Sequence, residues 1–245
     1  MENAQLIGLS RQIALQRQMD VVANNLANIN TSGFKGEMML FEEYEMPIAR
    51  DMDWGITDQF LSYTQDWATI HDYAGGALTQ TGNEFDIALQ GNGFLTVETG
   101  SGERYTRNGE LKLDNTGLLI TNDGYPVLSE GGQIRFEEGE TNISIDSKGN
   151  ILTSAGNKGR FKIVSFEEPQ TLIREGANLF SGELPIQDLE TRVAQGALER
   201  SNVSGVTEMA AMIRVTRAYQ TLAQIMQRQD ELRSSAIQSL GTLKA

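Results

Sequence analysis

VTEMAAMIRVTRAYQTLAQIMQRQDELRSSAIQSL, residues 206–240, runs for 35 residues without a glycine or a proline. Val206, Met209, Ile213 and Thr216 recur at spacings of three and four and form one ridge of a helix. Met212, Val215, Tyr219, Leu222 and Met226 form a second ridge, and Ile225, Leu232, Ala236 and Leu240 carry the apolar face to the tail. Ser204 stands at the expected N-cap, and Glu208 in the first turn suits the positive end of the helix dipole. At ~1.5 Å per residue the segment is a rod of roughly 50 Å. A rod with two apolar ridges is not satisfied by one globular contact, so it needs partners along most of its length.

The chain holds one other helix of comparable length, at its start. Leu6, Leu9 and Ile13 share a face; after a change of phase Leu15, Met19, Val22, Leu26 and Ile29 do the same, with Gln12, Gln16, Arg17, Gln18 and Asp20 mainly between. Gly33, just past Asn30-Thr31-Ser32, is the expected stop. A wide stripe that shifts phase implies more than one neighbour.

Between the helices the texture changes. Eighteen of the 25 glycines fall in residues 75–182, and from Gly102 they recur about every seven or eight residues. Asn108-Gly109, Asp123-Gly124 and Asp114-Asn115-Thr116-Gly117 read as tight turns. The runs between them, Glu110–Leu113, Leu118–Thr121, Ile134–Phe136, Ile143–Ile145 and Phe161–Phe166, are short and strand-like. This cadence predicts an antiparallel β domain of many short strands. Residues 36–75, with nine acidic residues, one basic residue and both tryptophans (Trp54 and Trp67), fit neither pattern and read as an extended acidic connector. The expected fold class is therefore α+β. Residues 1–35 with 201–245 form a discontinuous helical assembly domain, 36–75 the connector, and 76–200 a β-rich domain.

Composition narrows the function. No apolar run approaches the ~18 residues a membrane-spanning helix needs. The opening Met1-Glu2-Asn3-Ala4-Gln5 has no basic region followed by an apolar one, so no cleaved secretory signal is expected. The absence of cysteine excludes disulfides, thiolate nucleophiles and thiolate metal sites. With a single histidine, His71, in a polar stretch, an acid–base or metal site would have to be built from carboxylates. The net charge of −13 is unevenly spread: residues 1–35 carry +1, residues 201–245 carry +2, and residues 36–200 hold 28 acidic against 12 basic side chains. An acidic body repels nucleic acid and anionic lipid, while near-neutral ends are what close mutual packing requires.

No candidate catalytic or cofactor site stands up. Gly91-Asn92-Gly93 lacks the third glycine and the following helix of a dinucleotide fingerprint, and reads as a strand-to-strand turn. Asp114 and Asp123 lack the alternating carboxylates of a calcium loop. Glu137, Glu138 and Glu140 form a solvated charge run rather than a glycosidase pair, and no nucleophile has a base to activate it. The chain is expected to have no catalytic residues, no metal, no cofactor and no small-molecule substrate. A peptidoglycan-active or wall-binding β protein is the rival reading from another class, but it offers no reason for terminal helices of this kind.

The motifs then carry a resemblance. Ala23-Asn24-Asn25-Leu26-Ala27-Asn28-Ile29-Asn30-Thr31-Ser32-Gly33-Phe34-Lys35 resembles the N-terminal signature of the bacterial flagellar rod and hook proteins. Gly196-Ala197-Leu198-Glu199-Arg200-Ser201-Asn202-Val203, continuing through Glu208-Met209 to Arg217-Ala218-Tyr219, resembles the C-terminal one. Asp86-Ile87-Ala88-Leu89-Gln90-Gly91-Asn92-Gly93-Phe94, Tyr105-Thr106-Arg107-Asn108-Gly109 and Gly124-Tyr125-Pro126-Val127-Leu128 agree in the middle. Ser204 replaces the usual Asp, and Leu95 stands where a second Phe is frequent. The length, the opening Leu6-Ile7-Gly8-Leu9-Ser10-Arg11-Gln12 and Phe41-Glu42-Glu43-Tyr44 resemble the proximal-rod type more than the distal-rod type.

The resemblance implies a structural subunit of the basal-body rod that transmits torque for motility. It implies export through the flagellar type III apparatus without a cleaved signal, and a periplasmic rod that passes through peptidoglycan. The implied partners are other rod proteins and copies of the chain itself. The implied architecture pairs the terminal helices in an inner coiled-coil layer. The interface would then hold Leu6, Leu9, Ile13, Met19, Val22, Leu26 and Ile29 from the first helix. From the second it would hold Val206, Met209, Met212, Ile213, Val215, Tyr219, Leu222 and Met226. Asn24, Asn25, Asn28, Gly33, Phe34, Ser201, Asn202 and Val203 are the motif positions beside it.

Overall fold

The computed structural model describes residues 2–47 and 60–242. Trp54 lies outside the described residues, and the side chains of Trp67 and Leu240 are likewise not described. The chain divides into two compact units, one of residues 1–27, 37–70 and 204–245, the other of residues 28–36 and 71–203. The architecture is α+β, with a helix near each end and short antiparallel strands between.

In the first unit, α1 (Glu2–Ala27) and α2 (Gly205–Thr242) run antiparallel. Gln5 donates to Asp230 Oδ1 (2.8 Å) and accepts from Arg233 (3.2 Å). Further along, Gln12 donates to the Tyr219 hydroxyl (2.8 Å), and the Thr216 hydroxyl reaches Met19 Sδ at 3.8 Å. On α1 the buried or half-buried positions include 8, 12, 15, 19, 22 and 26; on α2 they include 212, 215, 219, 222 and 226. Both sets alternate steps of three and four, as side chains on one helix face must. Gly8 is where the helices crowd: an added Cβ would lie 2.4 Å from Met226 Sδ. α2 starts beyond Ser204, whose carbonyl accepts the Glu208 N–H (3.0 Å) and whose hydroxyl meets that of Thr207 (3.1 Å).

α1 is shorter than its apolar pattern suggests. It ends at Ala27, and Ile29 lies in the turn that follows. Asn28, Asn30 and Thr31 are residues whose side chains compete for nearby backbone groups, and the Thr31 hydroxyl and amide both bond to Asn28 (3.2 and 3.1 Å). Gly33 is therefore not the helix stop. Within residues 36–75, β1 (Glu37–Pro47) and β2 (Phe60–His71) pair as a two-stranded sheet.

In the second unit the largest sheet has six strands in the order 173–176, 179–181, 102–106, 94–99, 163–165 and 186–187. Every neighbouring pair in it is antiparallel. Hairpins of 111–113 with 119–121 and 128–129 with 132–133, and a three-stranded sheet of 144–145, 150–153 and 156–160, pack around it. The run at Ile134–Phe136 is not a strand: it keeps one bridge, Leu118 to Arg135, although Ile134 and Phe136 are buried. The main core gathers Leu95, Val97, Val127, Ile151 and Phe161, and a second one gathers Phe94, Tyr105 and Phe180.

Two long-range pairings close this β body. Residues 192–195 pair with 87–90, and 197–199 with 78–80, so the chain leaves beside where it entered. Asn108-Gly109 is not a hairpin turn either. Gly109 is a point of close approach, because a Cβ there would lie 1.8 Å from the Ile87 carbonyl oxygen.

Candidate functional site

Residues 33–36, 71–76, 107 and 199–203 of the β body meet around a buried charge cluster. Lys35, Arg107 and Glu199 are each almost fully buried. Lys35 Nζ lies 2.6 Å from Glu199 Oε1 and donates to the Ala74 carbonyl at 2.7 Å. Glu199 Oε1 also accepts the Gly76 N–H (2.8 Å), and its Oε2 lies 3.7 Å from Arg107 Nη1. Arg107 in turn donates to the Gly91 carbonyl (2.7 Å) and sits 4.9 Å over the Phe94 ring. Burial pushes the Lys35 ammonium below its ordinary value, opposed by its bond to Glu199. Burial lowers Arg107 too, again opposed by Glu199. Charges removed from water are tolerated only when paired and hydrogen-bonded. Each partner here therefore depends on the others.

The motif residues stitch the backbone around this cluster. The Gly36 N–H donates to Asn202 Oδ1 (2.8 Å), while Asn202 Nδ2 donates to the Asp72 and Ala74 carbonyls (2.7 and 3.3 Å). One amide side chain thus ties three passing segments. The Gly33 N–H donates to the Glu199 carbonyl at 2.7 Å. Gly33 has φ +68, and a Cβ on it would lie 2.3 Å from the Arg107 carbonyl oxygen, so no other residue fits without displacing backbone. Phe34 is buried, with the Arg174 guanidinium 4.3 Å above its ring. Ser201 accepts the Val203 N–H (3.2 Å). Asn24 is exposed, and Asn28 is half-buried in the turn after α1.

In the helical unit Asn25 plays a matching part. Its side chain donates to the Glu37 carbonyl (2.8 Å) and accepts the Glu37 N–H (2.9 Å), fixing the start of β1 against α1. The chain crosses between the two units after Ala27, Gly36, Ile70 and Val203. The stitched residues lie immediately beside three of those four crossings.

The interface residues expected from sequence divide into two faces. Leu15, Val22 and Val215 are buried, and Met19, Leu26, Met212, Tyr219, Leu222 and Met226 are half-buried, in the α1–α2 seam. Leu6, Leu9, Ile13, Val206, Met209 and Ile213 are exposed, Val206 to 77%. The two ridges of α2 therefore have different fates: the second is covered within the chain, while Val206, Met209 and Ile213 of the first are not. The helix positions were visible in the periodicity. The buried charges are not visible in it: Lys35, Arg107 and Glu199 all lie inside the family motifs, but Arg107 stands between Thr106 and Asn108 and Glu199 beside Arg200, so no local apolar pattern marks them as buried. Among the described residues no group of histidine or carboxylate side chains is arranged to hold a metal ion.

These features describe a module whose buried polar groups are spent on tying its own segments together, and the comparisons with known proteins say which family builds it. Residues 6–35 match the family described as "Flagella basal body rod protein", residues 88–153 the "Flagellar hook protein FlgE/F/G D1 domain", and residues 194–239 the "Flagellar basal body rod FlgEFG protein C-terminal". The chain is 35% identical to the flagellar basal-body rod protein FlgF of Caulobacter vibrioides, over 99% of this chain and 100% of that one. It is 31% identical to FlgF of Mesorhizobium japonicum over 99% of each chain, and 33% identical to FlgG of Bacillus subtilis over 97% of each. The chain belongs to the flagellar basal-body rod protein family. It is a structural subunit of the rod, not an enzyme, and other rod proteins are its assembly partners.

Proposed function

We propose that this chain is a proximal-rod subunit that polymerises through its terminal helices and carries torque along the rod. The observation that supports this best is the unequal treatment of the apolar ridges: Met212, Val215, Tyr219, Leu222 and Met226 pack within the chain, while Val206, Met209 and Ile213 with Leu6, Leu9 and Ile13 face water. Each of those side chains is worth roughly 1.5–3 kcal/mol when fully buried. Covering six of them per subunit supplies a driving force of the right size for assembly. In this reading the α1–α2 pair joins a coiled-coil layer with the helices of neighbouring subunits, and head-to-tail contacts that do not close generate the helical rod. Ile29, in the turn after α1, lies at the margin of that layer.

The division at 1–35, 36–75, 76–200 and 201–245 belongs to the same proposal, as the functional partition of assembly helices, connector and outer β body. The proximal position rests on the opening segment and on Phe41-Glu42-Glu43-Tyr44. Export without a cleaved signal through the flagellar secretion apparatus, and a periplasmic position where the rod crosses peptidoglycan, follow from the assignment.

Ile213→Asp places a carboxylate on the exposed ridge. The variant is expected to fold with an unchanged β body, to fail to enter basal bodies and to abolish swimming. Electron microscopy of basal bodies from a strain lacking the chain, complemented with the variant, is expected to show construction halted at the base of the rod. Normal swimming with Ile213→Asp would refute helix-mediated assembly, and a rod halted only near the hook would refute the proximal position.

A further inference from the structure

One surface of the β body has no role in stitching or in the helix faces. A cleft of about 910 Å3 opens between strand 173–176, at one edge of the six-stranded sheet, and the loop 182–186. Its apolar lining includes Ile173, 68% exposed, Ile186, 46% exposed, and Leu184, 86% exposed. Leu184 has φ +55, a conformation costly for a residue with a Cβ, and it precedes Pro185, which favours extended backbone. The loop is nevertheless firmly seated. Gly182 lies so close to Leu172 that a Cβ would meet it at 2.4 Å, and on the other side Ile186 pairs with Ser165. A strained backbone therefore holds a leucine out into water, next to two other exposed isoleucines. Strained residues of this kind cluster at binding sites and switch regions.

The rim of the cleft is acidic. Glu167, Glu168 and Glu183 line it, all exposed and with no lysine or arginine of the described residues in ion-pair range. Glu175 is already matched by Arg104 at 2.7 Å. The β body as a whole carries 20 acidic against 12 basic residues in 28–36 and 71–203, so the β body of another copy would be repelled.

We propose that this cleft docks a different basal-body protein, through an apolar side chain flanked by lysines or arginines on the partner. The apolar group would sit against Ile173, Leu184 and Ile186 while the basic groups pair with the three unmatched glutamates.

The test places a photoreactive benzoylphenylalanine at Leu184 of the full chain in motile cells, with the same probe at Leu152, exposed on another sheet, as the control. Cross-linked peptides are then sequenced by mass spectrometry. The expected product joins position 184 to another protein, within a few residues of lysine or arginine, at a yield well above that at 152. Glu167→Lys, Glu168→Lys and Glu183→Lys together are expected to lower that yield about tenfold, as reversal of three rim charges should. The melting temperature of that triple variant should stay unchanged, because all three side chains are exposed. A product joined to another copy of this chain, including the Arg214 and Arg217 region of α2, would overturn the proposal. So would a yield no greater than at 152, or one indifferent to the charge reversals. Because the cells swim throughout, such failures would leave membership of the rod untouched.

Discussion

Lys35→Met is the substitution that most directly probes the stitched cluster. Methionine has nearly the length of the lysine side chain and fills the same fully buried channel, so what is lost is the charge, the 2.6 Å pair with Glu199 and the 2.7 Å bond to the Ala74 carbonyl. Glu199 would keep one N–H donor, from Gly76, and a guanidinium at 3.7 Å that is not a hydrogen bond. Removing one partner of a buried pair costs about 3–5 kcal/mol. A domain of this size has roughly 5–15 kcal/mol to lose, and each kcal/mol moves its midpoint by about 2–4 °C. The expected fall in the melting temperature of the β body is therefore about 10 °C, measured by near-ultraviolet dichroism on the full chain. Glu199→Gln in the same protein keeps an acceptor for Gly76 and removes the stranded charge. The double variant should accordingly be more stable than the sum of the single effects by ~1–3 kcal/mol. A Lys35→Met midpoint within about 3 °C of the parent, or strict additivity in the double variant, would refute the claim that this pair holds the segments together.

The remaining predictions follow from the same geometry. Gly33→Ala must place a Cβ 2.3 Å from the Arg107 carbonyl oxygen at a residue with φ +68, and is expected to cost at least ~2 kcal/mol in denaturant unfolding; a neutral result would mean the turn rearranges freely. Acid should weaken the β body. The Asn150 side chain holds Asp146 below its ordinary value, Lys158 holds Glu140 below its own, and Arg104 does the same for Glu175. For Asp188, burial acts upward but is outweighed by hydrogen bonds from the Thr191 hydroxyl and amide. Groups depressed in the folded state bind protons less readily than in the unfolded chain. Their contribution is thus complete above the ordinary carboxylate values of 3.8 and 4.5 and is lost as pH falls below them. A midpoint that stays constant or rises between pH 5 and 3 would contradict this assignment.

The helices and the all-β middle could be read from the sequence because both are written in local periodicity: Leu15, Met19, Val22 and Leu26 share a face by spacing alone, and Gly117 and Gly124 sit in turns with φ +75 and +91. What could not be read depends on distance along the chain. Strand 197–199 pairs with 78–80, and Lys35 meets Glu199 across 164 residues, so no local pattern announces either. Gly33 and Gly109 show the same limit in miniature. Each looks like punctuation in its own neighbourhood, yet each is required by a backbone arriving from elsewhere, Arg107 in one case and Ile87 in the other. The end of α1 is hidden in the sequence because Ile29 continues an apolar rhythm that the side chains of Asn28 and Thr31 interrupt.

The placement of the motif residues bears on how a rod subunit carries load. The backbone passes from one unit to the other after Ala27, Gly36, Ile70 and Val203. Here the backbone beside three crossings is bound to a common point: Gly36 and Asp72 by the side chain of Asn202, and Gly33 and Gly76 by Glu199, the first through its carbonyl and the second through its side chain. Asn25 fixes the far side of one of them by holding Glu37 at both its N–H and its carbonyl. Several strands bound to one buried cluster resist twisting far better than the same strands free, because turning one must break bonds made by the others. On this argument the terminal motif residues serve mainly to stiffen the β body where its own segments converge, and in the proposed reading the exposed ridges of α1 and α2 choose the neighbours.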